Sequence, residues 1–597
     1  MARIHSKAFS LPQAVHQALE FHRQGQLPQA EKLYSDVLAV RPDYFEALHM
    51  LGLIKLQRQD LAGALRLMSG ALQSRPKSPE VLLDYASVLD ALGRYDEALA
   101  TFDKVLSIKR RSLDAYNNRG IVLEKLGRDE EALESFQSAL TIKSNSADVL
   151  YNQGSVLTKL GRYGEALKSF ERALSIKPTY AKAHIQCGVA HAELKRFDEA
   201  IACYDRALAI TPDFIEAINN RGAALEQLGR YEDALKSYEH ALAINPVHAE
   251  ILCNRSSALA ALGLHQEALV SCSKATNINP ANANAQWNEA LLRLRLGDFA
   301  GGQEKYEWRW KRKENAKKLR NFAQPLWLGE TSAAGKTILL HHEQGLGDTI
   351  QFVRYAPMLA KQNARVILEV QPPLKVLISQ IGGGVQVIAR GEDIPSFDLQ
   401  CPLLSLPRAF HTELTTIPAQ IPYLAPPKDK IERWKDRLPP RCGHRVGIAW
   451  SGSATHKDDH NRSIALGRLG PLFDVPNIAF VSLQKELRET DAQILAADPR
   501  ITDLGPCFDD FSDTAAAIAQ LDLVIAVDTS IAHLAGALGT PVWILLPFCP
   551  DWRWLLDRDD SPWYPTARLF RQPHRDGWDS VIEQLRQRLS LYANSND

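Results

Sequence analysis

The stretch DLVIAVDTSIAHLAGALGTPVWIL reads as a buried strand that ends in Asp528-Thr529-Ser530 and passes at once into a helix, with His533 one turn inside. A helix amino end offers free backbone N–H groups, and hydroxyls beside them complete a cradle for a diphosphate. Asp528 or Thr529 serves equally as a plain N-cap, because those residue types satisfy the first-turn donors of any helix. A second turn, GLGD, places Gly345, Gly347 and Asp348 between a strand and a helix. Glycines there permit a tight turn, and an aspartate is an ordinary cap. The turn lacks the G-K-[ST] ending of a phosphate-binding loop and the third glycine of the dinucleotide fingerprint, which disfavours a kinase or an NAD enzyme. The loop SGSATHKDDHNRSIAL adds Lys457, His460 and Arg462. A cation from it would neutralise a departing diphosphate without a metal, whereas a charged loop by itself is also an ordinary solvated surface.

Short apolar strands alternating with helical stretches must hold these turns, which is the pattern of a parallel sheet covered by helices. The first lobe opens with a strand at Thr337–His341 and continues with another at Arg365–Val370. The second restarts with RVGIAWSG, passes through NIAFVSLQ, DLVIAVDTS and PVWILLP, and ends in a helix near Trp578–Tyr592. In such sheets ligands lie beyond the carboxyl ends of the strands, where Ser451, Gly452 and Gln484 join Asp528, Thr529 and Ser530 as candidate donor-binding residues. Prolines crowd Cys401–Arg441, which predicts a stiff connector rather than a strand or helix. The tail holding Trp552, Trp554, Trp563 and Tyr564 suits either a carbohydrate contact or an ordinary lobe interface.

Before Asn321 the organisation is periodic. Ala30, Ala64, Ala98, Ala132, Ala166, Ala200, Ala234 and Ala268 recur every 34 residues. Gly25, Gly93, Gly127, Gly161, Gly229, Gly263 and Gly297 share a second phase, with gaps at Gln59 and Lys195. Each unit reads as two amphipathic helices, as in the segment around Leu160–Arg162, where Gly154 and Ala166 allow close helix crossing. Phe170 and Ala173 are expected to offer a knob and a hole to the next unit. The pattern resembles the tetratricopeptide repeat, with eight units from about Leu11 to Ala281 and a degenerate ninth in which Gly302 takes the alanine phase. That resemblance implies an α-solenoid whose groove holds a peptide or protein. Asn118, Asn152, Asn220, Asn254 and Asn288, with Gln186 in the remaining slot, share one phase. This looks like the asparagine ladder with which the repeat domain of O-linked N-acetylglucosamine transferase holds a substrate backbone, an amide being able both to donate and to accept. Asparagine is also a common residue at this repeat position.

The expected organisation is a solenoid over residues 11–313, a linker over 314–336, an α/β lobe over 337–425, a Pro-rich connector over 426–443 and a second α/β lobe over 444–597. Seventy basic residues balance 70 acidic ones, giving no global attraction to nucleic acid or an anionic membrane. The basic run KYEWRWKRKENAKKLR is expected to be a solvated helix joining the solenoid to the lobes. Eight cysteines without a C-x-x-C pair indicate neither a zinc site nor a disulfide framework, so no metal or cofactor is expected. The start lacks a secretory pattern and no stretch is apolar for long enough to span a bilayer, which predicts a cytoplasmic protein.

From about Pro325 onward the strand, glycine and Asp-Thr pattern resembles the ADP-heptose:lipopolysaccharide heptosyltransferase family, inverting transferases of the two-lobed GT-B fold. The resemblance implies Asp348 as the general base on an acceptor hydroxyl and Asp528-Thr529, with His533, at the nucleotide diphosphate. It assigns the family's basic residue to Arg462 or to nearby Lys457. A metal-independent glycosyl transfer from a nucleotide sugar to an acceptor recruited by the repeats is therefore expected. The alternative is a non-catalytic interaction scaffold carrying a transferase-derived module.

Overall fold

The computed structural model describes residues 10–316, 319–441, 443–455 and 459–594. Two compact units divide it, Met1–Ile244 and Asn245–Asp597. In the first, helices alternate from Leu11–Arg23 and Leu27–Val40 to Ile215–Gln227 and Tyr231–Ile244 in a strict two-per-repeat order. The glycine phase explains the turns: Gly93, Gly127 and Gly161 have φ between 73° and 74°. The two gaps in that phase, Gln59 and Lys195, adopt the same left-handed backbone at φ 62° and 60°. The turn is therefore imposed by packing even where the residue disfavours it.

The small-residue phase is filled from within each repeat. A Cβ at Gly154 would stand 2.5 Å from Phe170, and one at Gly188 or Gly222 at the same distance from Tyr204 or Tyr238. Phe170 is thus a knob for its own repeat's first helix, and it also shares a core with Cys187 and Ala190 of the next unit, as its spacing suggested. Helices of one repeat cross closely enough there that only a small residue leaves room for the ring, glycine at Gly120, Gly154, Gly188 and Gly222 and alanine at Ala86, which shares a core with Phe102.

The second unit begins with two more helix pairs, Ala249–Ala261 with His265–Ile278 and Ala283–Arg295 with Phe299–Tyr306. These share a core with the α/β part: Leu294, Phe299 and Tyr306 pack in one cluster with Ile350, Trp552 and Trp563. The sequence lattice runs on to about 313, but the compact division falls at Ile244/Asn245, because the last repeats bury their apolar faces against the lobes.

Two all-parallel sheets follow. The first contains β1 (Thr337–His341), β2 (Arg365–Val370), β3 (Gln386–Ala389) and β4 (Leu399–Pro402), in the order β3-β2-β1-β4. The second contains β5 (His444–Ala449), β6 (Ile478–Ser482), β7 (Ile501–Asp503), β8 (Leu523–Val527), β9 (Val542–Leu546) and β10 (Ala567–Arg571), in the order β10-β9-β8-β5-β6-β7. Each sheet reverses direction beside its first strand, at β1/β4 and at β5/β8, which opens a crevice at the carboxyl ends of those strands. The GLGD turn follows β1, Ser451-Gly452 follows β5 and Asp528-Thr529 follows β8, so the polar turns sit where a doubly wound sheet binds ligands.

The proline-rich stretch departs from the expected irregular connector. It contains β4 and the helices Leu406–Ala409 and Lys428–Lys435. Pro402 pairs with His341 on an edge strand, Pro407 lies in the first turn of one helix and Pro427 is the N-cap of the other. Proline is tolerated at just those places because no N–H is required there. Residues ahead of β1 cover the β4 edge, with the Trp327 N–H donating to the Gln400 carbonyl at 2.8 Å.

The basic run is likewise not a solvated helix. Helix Phe299–Tyr306 passes into a 3-10 turn at Glu307–Lys311, where Arg309 is 1% exposed. Its guanidinium donates to both carboxylate oxygens of Glu343 at 2.8 and 3.0 Å, and to Ser405 Oγ at 2.7 Å. Glu343 also accepts the Leu404 N–H at 3.1 Å. Among the described residues no helix is long and apolar enough to cross a membrane.

Candidate active site

The two lobes meet at their glycine and Asp-Thr turns. Helix Leu346–Phe352 starts at Gly345, and helix Ser530–Leu538 has Thr529 as its N-cap. A Cβ at Gly347 would stand 2.8 Å from His533 Cδ2 and 3.4 Å from Ser530 Cα, so this glycine lets two helix amino ends meet. It is close approach that requires the residue there, since neither Gly345 nor Gly347 has a left-handed backbone.

Asp348 Oδ2 accepts the Gly345 N–H at 2.9 Å, closing the turn, while Oδ1 is ion-paired with Arg553. Arg553 also donates from Nε to Gln351 Oε1 at 2.7 Å and from Nη1 to Asp551 Oδ1 at 2.9 Å. One guanidinium from the second lobe therefore fixes the carboxylate of the first. Arg462 donates from Nη1 to the Asp528 carbonyl at 3.1 Å and lies against Gly452, where any side chain would displace it. Arg462 in turn belongs to a short helix, Asp459–Arg462, whose Asp459 is ion-paired with Arg488 and accepts from Ser463 Oγ at 2.7 Å. Lys457 lies outside the described residues.

Thr529 is the one hydroxyl whose two readings separate. It occupies the N-cap position, yet its side chain makes no capping bond, and Oγ1 is buried without a hydrogen-bond partner. A buried hydroxyl left unpaired costs about 1–3 kcal/mol, which a ligand oxygen at the helix end would relieve. Gln484 goes the other way. Its Oε1 accepts the Ser451 N–H at 3.2 Å and its Nε2 donates to the Ser451 and Glu486 carbonyls, both at 3.1 Å. That amide is spent on tying the ends of β5 and β6 together, so Gln484 shapes the floor instead of facing a donor.

Burial controls the ionisation here. Asp528 is raised to about 6, first by burial and then by the negative charge of Asp551. His533 is lowered to about 3 by burial and by the Arg553 charge; its Nδ1 is 2.9 Å from Tyr564 Oη and its ring stacks on Trp554 at 5.4 Å. His533 is therefore a neutral spacer. Protonation of Asp528 is tighter in the folded chain than in the unfolded one, so its stabilising effect is full below about pH 4 and is lost as pH rises through about 6. Asp528→Asn should consequently raise stability at pH 7.5 by about 3 kcal/mol and leave it nearly unchanged at pH 4. Urea unfolding of both proteins at the two pH values measures this, and a difference independent of pH would contradict the burial of that charge.

Sequence reasoning missed Arg553, Asp551 and Arg354. Arg354 is buried and donates to the Pro418 and Trp563 carbonyls at 2.9 and 2.8 Å and to Tyr423 Oη at 2.9 Å. The aromatic tail proves to be interior: Trp552, Trp554, Trp563 and Tyr564 are at most 4% exposed. They form the lobe interface and present no carbohydrate-facing surface. The signal for Arg553 was its setting between two tryptophans, where a charge is retained only if it is paired.

In the first unit Asn118, Asn152, Gln186 and Asn220 are all half-buried. Asn152 Nδ2 donates to Asn117 Oδ1 of the preceding repeat at 2.9 Å, and Asn117 Nδ2 donates to Asn118 Oδ1 at 3.2 Å. Part of the amide capacity is thus used in joining repeats. In the second unit Asn288 donates to Ser257 Oγ at 3.2 Å. Asn254 lines an open cavity of about 550 Å³ with Asn245, Asn279, Asn282 and Asn284.

Tetratricopeptide repeat family models match residues 16–79, 55–118, 111–179, 145–213, 188–261 and 249–282. Residues 16–282 are tetratricopeptide repeats. Protein FlbA of Caulobacter vibrioides is 24% identical over 338 residues, which is 52% of this chain and 55% of FlbA. The chain thus spans about half the length of that relative. Among solved structures, YrrB, described as a TPR protein with an unusual peptide-binding site, is 26% identical, with 31% of this chain and 95% of YrrB covered at a TM-score of 0.28. PilF of Pseudomonas aeruginosa is 19% identical, with 36% of this chain and 99% of PilF covered at a TM-score of 0.33.

Proposed function

We propose that the α/β part is a two-lobed GT-B-type glycosyltransferase that takes its donor from a nucleotide sugar, and that the repeats recruit the peptide or protein that carries or delivers the acceptor. The observation that carries this is the buried, unpaired Thr529 hydroxyl at the amino end of a helix whose Ser530 and His533 lie against Gly347 of the other lobe. Thr529, Ser530 and the free N–H groups of helix Ser530–Leu538 would accept the diphosphate, with Arg462 adding positive charge. Asp348, held in place by its ion pair with Arg553, would take the proton of an acceptor hydroxyl as that oxygen bonds the anomeric carbon and the nucleoside diphosphate leaves. The ion pair orients the Asp348 carboxylate.

One observation favours the alternative of a binding scaffold without turnover: Arg462 and Arg553 already engage the Asp528 carbonyl and the Asp348 carboxylate. The two readings part on Thr529→Val. Replacing an unpaired hydroxyl by a methyl is expected to leave stability equal or slightly higher, while donor affinity falls by about tenfold or more. Calorimetric titration with nucleotide sugars beside this variant measures it; unchanged affinity would remove the helix end from donor binding.

A further inference from the structure

Within the first unit one repeat breaks the repeat pattern at three positions that meet in space. Cys187 and His191 lie one turn apart on helix Ala181–Glu193, and Cys203 lies on its partner helix Phe197–Ile210. One ligand atom from each of these residues falls within 4.8 Å of the other two. Both cysteines are buried free thiols, and His191 Nδ1 is buried without a hydrogen bond.

The other repeats show what these positions hold when the fold alone decides. At the Cys203 phase stand Ser135, Ser169, Ser237 and Ser271. At the Cys187 phase stand Arg119, Gln153, Arg221 and Arg255. The two positions are joined by a hydrogen bond between the paired helices: Arg119 to Ser135 at 2.6 Å, Arg221 to Ser237 at 2.8 Å, and Ser169 to Gln153 at 3.0 Å. At the His191 phase stand Leu89, Leu123, Leu157, Leu225 and Leu259, with Lys55 and Arg293 in the outer repeats, so the repeats that flank His191 all hold leucine there. Three substitutions in one repeat therefore replace a hydrogen bond and a leucine by two thiols and an imidazole, all directed at one point. Drift at a single position would leave a partner behind, whereas this set exchanges both members of the bonded pair and the neighbouring core residue together.

We infer that Cys187, His191 and Cys203 form a binding site for a single thiophilic closed-shell metal ion, Cu⁺ or Zn²⁺. Two thiolates and one imidazole are the soft to borderline donors that such ions select. Three donors complete a trigonal Cu⁺; Zn²⁺ would take a water or a partner's side chain in its fourth position. Metal–sulfur bonds of about 2.3 Å place bound sulfurs up to roughly 4.6 Å apart, so small side-chain shifts from the observed separation suffice. As each metal–sulfur bond forms, its thiol releases a proton to solvent, and no electron changes hands. The spacing C-x-x-x-H followed by a cysteine on the next helix hides the site from any search for C-x-x-C pairs.

The test uses the full chain, purified under reducing anaerobic conditions and titrated separately with Cu⁺ and Zn²⁺ against a chromophoric chelator. The comparison is with a triple variant, Cys187→Arg, His191→Leu and Cys203→Ser, which installs the residues of neighbouring repeats. Glu171 stands 16 residues before Cys187, as Asp103 and Asp205 stand before Arg119 and Arg221, to which they bond at 2.7 and 2.6 Å, so the new arginine finds an acid in place. Cys203→Ser alone provides a second, less altered variant. One tightly held equivalent of Cu⁺ or of Zn²⁺ in the native chain, lost in both variants, is the expected result and names the ion. No chelator-competing binding of either ion, or equal stoichiometry in native and variant chains, would overturn the proposal.

Discussion

Asp348→Asn is expected to lower glycosyl transfer by on the order of 10³-fold while leaving donor affinity as it was. The amide still accepts the Gly345 N–H that closes the turn, and Arg553 keeps its bonds to Asp551 and Gln351, so the lobe contact survives. What disappears is a carboxylate able to take the proton of an acceptor hydroxyl. The proposed donor side at Thr529, Ser530 and Arg462 is untouched. Steady-state rates and donor titration on the same preparation separate the two effects. Full activity in the variant would remove Asp348 from the chemistry, and a parallel loss of donor binding would make it a structural cap.

The second large effect is structural. Arg309→Ala should destabilise the second unit by about 3–5 kcal/mol, because it leaves Glu343 buried without its countercharge. Burial raises Glu343 and the Arg309 guanidinium opposes that rise, so in the variant the acid takes up a proton more readily. The variant's stability deficit should then shrink as pH falls, since a protonated Glu343 no longer needs a counterion. Removing both charges, with Arg309→Met and Glu343→Gln together, should recover a large part of the loss. A double-mutant cycle by urea unfolding measures the coupling. A loss below about 1 kcal/mol for Arg309→Ala would show that water reaches the pair.

The solenoid and the strands that carry the site could be read from sequence because both leave one-dimensional signals. Alanine and glycine recur with the repeat, and β1, β2, β5, β6, β8 and β9 are apolar runs of five or six residues. The strands that escaped, β3 (QVIA), β4 (LQCP), β7 (ITD) and β10 (ARLFR), have five residues or fewer and lie at the edges of their sheets, where less burial is required of them. β4 also carries Pro402, which on sequence argues against a strand and is admissible only on an edge. At the candidate site the turns at Gly345–Asp348 and Asp528–Ser530 were visible because each follows a strand. Arg553 was not, since its partners Asp348 and Gln351 lie about two hundred residues away in the chain. The same holds for Arg309, whose surroundings of Trp308, Lys311 and Arg312 look like a solvated basic stretch until Glu343 is placed against it. The Cys187–His191–Cys203 cluster was hidden for a related reason: its third member sits on a different helix, and only comparison between repeats marks all three positions.

The central claim is that the crevice between the two Gly-Asp and Asp-Thr turns binds a nucleotide sugar. Isothermal titration of the whole chain with ADP-, GDP-, UDP- and dTDP-sugars tests it most directly. We expect one-site binding of a nucleotide sugar, weakened about tenfold or more by Thr529→Val with the fold intact. Absence of heat with every donor, from a chain that unfolds cooperatively, would contradict the claim and leave the α/β part as a scaffold element.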